Sequence, residues 1–77
     1  MKFLVTEIQT FEGGGVSTPS YAYDTQTAAE AKFHAILAAA AVSALPVHAA
    51  ILFTDEGFPL RHECYKHELA PASETEA

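Results

Sequence analysis

His62 and Cys64 stand two residues apart in the stretch LRHECYKH, a spacing that sets two side chains beside each other on one face of a strand. A cysteine next to a histidine is the pairing that yields an activated thiolate or a ligand pair for a soft metal. Zinc needs three or four ligands, and only His34 and His48 are placed elsewhere in the chain to join them. No carboxylate shares that face. The competing reading is a strand cysteine with a histidine neighbour and no chemistry. Asp55 and Glu56 are adjacent carboxylates, but Gly57 follows them, so a hairpin turn explains them. Gly13, Gly14 and Gly15 form a glycine-rich loop. A phosphate loop must lead into a helix, and here a second strand pattern follows, which favours a plain turn. Tyr21 and Tyr23 share a strand face, either for cross-strand packing or as a stacking platform for a ring. The candidate ligand contacts are therefore Tyr21, Tyr23, His62 and Tyr65. No nucleophile elbow, Walker loop or HExxH stretch occurs, so the sequence assigns no catalytic residue, no cofactor and no metal.

These residues must be positioned by a small scaffold. Seventy-seven residues make a single domain whose core is marginal. One cysteine allows no internal disulfide, and unstapled domains of this size often gain stability by associating. Charged residues are 18% of the chain, below the usual ~25%, so much of the surface is neutral. The formal charge is −6, and the four cations, Lys2, Lys32, Arg61 and Lys66, are scattered. Nucleic-acid binding needs clustered cations, so that class is excluded. Glu7 interrupts a signal-peptide reading of the N-terminus. The uncharged run from Ala35 to Thr54 is broken by Pro46 and His48 and is too alanine-rich for a membrane span. The expected location is the cytoplasm, or a virion.

The chain reads as strand, strand, helix, strand, strand. Lys2 to Phe11 is the first strand, with Leu4 and Ile8 expected on the core face and Glu7 and Gln9 on the more solvated side. Val16 to Asp24 is the second, placed at an edge or interrupted by Pro19. Ala49 to Thr54 is apolar on both faces and so central; Leu60 to His67 pairs with it across the Asp55–Gly57 turn. The economical fold is α+β: a ββαββ two-layer sandwich, with one helix on one face of a four-stranded antiparallel sheet. Residues 1–68 form that domain, and residues 69–77 read as an acidic, disordered tail.

The helix is expected from Thr27 to Leu45, with Thr27, Asp24 or Thr25 as its cap and Pro46 as its end. Ala29, Phe33, Ile36, Leu37, Ala40 and Ala44 make the stripe that packs on the sheet. Ala31, Ala35, Ala38 and Val42 fall on the opposite side. That side is either good helix-forming residues tolerated in water, or a small-residue seam for a second copy; these four are the candidate interface. One helix covers a four-stranded sheet on one side only, so the uncovered face is also available to a mate.

The stretches LVTEIQTF, YAYDTQTAAEAKFHAILAAAAVSALPVHAAILFTDEG and LRHECYKHE resemble a set of small uncharacterised proteins of Gram-positive bacteria and their phages. The likeness spans residues 1 to about 68 and carries no catalytic motif. It implies a phage or prophage product, accessory, structural or host-interacting. Two functions are then expected as alternatives. One is a non-enzymatic interaction protein acting as a homodimer or higher homo-oligomer, with a viral or host protein as a further partner. The other is a binder of a nucleotide-like small molecule, using the tyrosines with His34, His48, His62 and His67, against which the acidic charge argues.

Overall fold

A computed structural model describes residues 1–67 of the chain. Its elements are β1 (Phe3–Thr10), β2 (Val16–Ser17), β3 (Ser20–Tyr23), α1 (Gln26–Ala41), β4 (Val47–Thr54) and β5 (Pro59–Lys66). The fold is α+β, with one helix packed on an antiparallel sheet. β4 lies between β1 and β5, which its two apolar faces anticipate. β2 and β3 both pair with β1, so five strands fill four lanes. The split falls at Pro19, whose missing N–H cannot join the ladder; its carbonyl still accepts from Glu7 N at 2.9 Å. The tail reading for residues 69–77 lies outside the described residues.

Two turns need a left-handed residue, and glycine supplies it at Gly14 (φ 95°) and Gly57 (φ 86°). Gly57 N donates to Thr54 O at 2.8 Å, closing the β4–β5 hairpin.

Thr25 caps the helix: its hydroxyl accepts from Ala28 N at 3.2 Å. The helix ends at Ala41, short of the expected Leu45. Val42 already leaves helical geometry at φ −114°. Ser43 Oγ accepts from Leu45 N at 3.1 Å, so the side chain takes over a donor the backbone would have used. The residue before Pro46 is also biased out of the helical region. Ala44 is consequently an exposed loop residue rather than part of the packed stripe.

The core consists of Val5, Ala29, Phe33, Ile36, Ala50 and Leu52, with Phe3, Tyr21, Tyr23 and Leu37 against it. This corrects the facing of β1. Val5 is fully buried under the helix, and Leu4 and Ile8 point to the other side. Val5 pairs with Leu52 and Glu7 with Ala50, so Phe3, Val5, Glu7 and Gln9 share the helix side with the even-numbered residues of β4. The physical reason is room: Ala50 and Val5 are small enough to admit Phe33 and Ile36, and Ala29 and Ala40 bring the helix backbone close.

Candidate functional site

Beneath the C-terminal half of α1 the sheet carries polar side chains. Glu7 and Gln9 come from β1, and His48, opposite Gln9, comes from β4. His48 Nε2 lies 2.5 Å from Glu7 Oε2, and Gln9 Nε2 donates to the same oxygen at 3.0 Å. The His48 side chain is 5% exposed and that of Glu7 14%. Which of the two atoms donates is set by the imidazole tautomer. Nδ1 is buried and has no hydrogen-bond partner among the described residues. A carboxylate orienting an imidazole is a general-base arrangement, but such a base must reach a substrate proton. Here the nitrogen that would do so is enclosed by the fold. The sequence hid this pair because Glu7 was expected on the solvated face and the third strand was expected to begin only at Ala49, after His48. Its only signal is the pairing of Gln9 with His48, which appears once the strands are aligned.

The end of β5 is tied to the same region. His67 N donates to Pro46 O at 2.9 Å, and His67 Nε2 lies 2.7 Å from Ala40 O, where it satisfies a carbonyl of the last helical turn. The Tyr65 and His67 rings stack at 6.3 Å, 8° from parallel.

The candidate ligand contacts do not converge. Tyr21 and Tyr23 lie on β3 at one edge of the sheet, on the helix side, where both pack against the core. Lys32 Nζ sits 4.2 Å from the Tyr21 ring centroid. Tyr65 lies on β5 at the opposite edge. His62 pairs with Ile51 and Cys64 with Ala49, so both face away from the helix. Cys64 is a free, exposed thiol. Among the described residues no group of three or more His, Cys, Asp or Glu could hold a metal. The cleft between α1 and β5, about 380 Å³, is lined by Phe33, Leu37 and residues 60–63 and opens widely to solvent.

Surface electrostatics serve the scaffold. Lys2 pairs with Asp24, whose carboxyl is held below its usual range by that hydrogen bond and then by the lysine charge. Glu30 is lowered by hydrogen bonds from Gln26 and then Arg61, linking the first helical turn to β5.

Of the expected interface residues, Ala31, Ala35 and Ala38 are exposed on the back of the helix, and Val42 lies just past its end, 84% exposed. A second apolar surface is larger in side-chain bulk. On the sheet face without a helix, Leu4, Ile8, Val47, Ala49, Ile51 and Phe53 come from the paired central strands β1 and β4, with only Thr6 and Thr10 interspersed. The covered face of the same two strands includes Glu7, Gln9, His48 and Thr54. The open face is thus the more apolar of the two.

Compared with known proteins, the chain matches no family model, and no curated protein or solved structure shows significant similarity to it. No helix among the described residues is long and apolar enough to cross a membrane.

Proposed function

We propose that this chain works by association rather than catalysis: a small interaction protein that acts as a homo-oligomer, in the role of a phage- or prophage-encoded accessory or structural factor. One observation carries the reading. The helix covers the more polar face of β1 and β4, and the face bearing Leu4, Ile8, Ile51 and Phe53 has no layer on it among the described residues. Contiguous apolar surface on a small domain marks an interaction site. The partner of matching chemistry is a second copy. The open face of β1 and β4 bears no charged residue, so it selects a neutral surface such as its own, and two such faces pack at the ~10 Å spacing of stacked sheets. The phage setting rests on the sequence resemblance alone.

Sedimentation of the purified chain tests the reading. The expected result is a mass of two or more chains at micromolar concentration, reduced by Ile51→Lys with the circular dichroism spectrum retained. A mass of one chain at all concentrations up to about 100 µM, well above the range of stable association, overturns it.

A further inference from the structure

Among the described residues the outer edge of β5 is unpaired, and it offers a second, more specific contact. The two outer lanes of the sheet differ. One is broken into β2 and β3 at Pro19, which blunts it against pairing. The other is β5, eight residues long, with its one proline at the first position. All of its residues except Tyr65 are exposed.

The backbone polarity of that edge follows from the hydrogen bonds. Successive strand residues turn their N–H and C=O groups to alternate sides. His67 donates to Pro46 on the β4 side. Tyr65, Glu63 and Arg61 therefore bond β4, and His62, Cys64 and Lys66 direct their backbone groups outward. A strand added to this edge must exchange hydrogen bonds with those residues.

We infer that a second copy of this chain adds its own β5 there, antiparallel and centred on His62, joining two four-lane sheets into one of eight lanes. This rests on the self-association reading above and adds a second surface to the sheet face named there. Charge favours one register: a pair centred on Cys64 sets Glu63 opposite Tyr65 and makes no ion pair, whereas one centred on His62 makes two. Centring on His62 sets Arg61 opposite Glu63 of the second copy, twice by symmetry. A shift that centres the pair on Arg61 brings two arginines face to face, and one centred on Glu63 brings two glutamates face to face; like charges directly opposed are destabilising. The Arg61–Glu63 contacts fall at non-hydrogen-bonded positions, where opposed side chains are closest. Both side chains lie on the helix side, since Arg61 pairs with Leu52 and Glu63 with Ala50. Arg61 spends only its Nε on Glu30, at 3.2 Å, and the side chain is 51% exposed, which leaves its terminal nitrogens for the incoming carboxylate. Charges on an edge strand ordinarily discourage pairing. Here they are spaced so that one register converts them into attraction.

Cysteine cross-linking reads the register. His62→Cys with Cys64→Ser should give a two-chain disulfide under copper–phenanthroline oxidation, because the symmetric Cα atoms would lie ~5.5 Å apart. Wild-type Cys64, and Lys66→Cys with Cys64→Ser, should not. In sedimentation, Glu63→Arg, which leaves the Arg61–Glu30 pair intact, should weaken association roughly tenfold, and adding Arg61→Glu should restore it. A mass of two or more chains with no cross-link at position 62 and no effect of the charge variants overturns the β5 pairing and leaves self-association through the open sheet face or the helix back. A mass of one chain overturns both readings.

Discussion

His48 Nε2 and Glu7 Oε2 are 2.5 Å apart on neighbouring strands, on the sheet face that the helix covers. This is the most enclosed polar contact between side chains in the described part of the molecule, and it occupies space that apolar side chains would otherwise fill. Removing one partner strands the other. Glu7→Ala leaves a buried imidazole with neither nitrogen bonded and should cost about 2–4 kcal/mol in urea unfolding. Replacing both residues by leucine should cost less than Glu7→Ala alone, because paired polar groups are replaced by packed apolar ones. A double variant as unstable as the sum of the singles would show that the pair does not act as a unit.

Acid should destabilise the fold through Glu30 and Asp24. Both carboxyls are held below their ordinary values of 4.5 and 3.8 by partners made only on folding. The unfolded chain therefore binds more protons in this range, and stability rises with pH. The contribution is complete above the unfolded values and is lost as pH falls through the folded ones. The urea midpoint should drop below about pH 4.5, and Glu30→Gln should flatten that slope. An identical slope in the variant would remove Glu30 from the account.

Phe33 is 3% exposed and anchors the helix on Val5 and Leu52. Phe33→Ala should cost about 3–5 kcal/mol, a large fraction of the ~5–15 kcal/mol by which folded domains are stable. Far-ultraviolet circular dichroism against temperature would show it, as loss of a cooperative transition or a large fall in its midpoint.

Gly57 has open space around its α-carbon but a φ of 86°. Gly57→Ala meets no steric neighbour, so its whole cost is conformational, about 1 kcal/mol. Gly13 lacks a positive φ and has equally open surroundings, so Gly13→Ala should be close to neutral in the same thermal melt.

Ala35→Glu with Ala38→Glu separates the two apolar surfaces. Both positions are exposed, so the fold should persist. With association carried by the sheet, the sedimentation mass should not change. A fall to one chain would move the interface to the helix back.

Much of the architecture is legible in the residues themselves. The helix is marked by Phe33, Ile36 and Ala40 at helical spacing; its start is less sharply marked, since Thr27 with Glu30 reads as a capping box whereas Thr25 is the cap and the first turn holds no acidic residue. The β4–β5 hairpin is marked by Asp55–Glu56–Gly57. Pro19 marks the broken edge, and two apolar faces mark β4 as internal. Each of these is a local property, set by backbone preference or by the period of the chain. The facing of β1 was not legible. Both of its faces carry apolar residues, so the pattern alone left Leu4 and Ile8 as the natural core side. Only the pairing of Val5 with Leu52, under a helix that needs small neighbours, decides against them.

The same decision determines the candidate site. Turning Val5 inward carries Glu7 and Gln9 under the helix with it, because strand side chains alternate with period two. It also turns Leu4, Ile8, Ile51 and Phe53 outward together. The sequence by itself determined the elements, their order and a chain short of charge. Tertiary structure alone decided which apolar face the helix would cover, because that choice depends on the shapes of three separated segments meeting at once. From it follow both the buried Glu7–His48 pair and the open surface on which the proposed association rests.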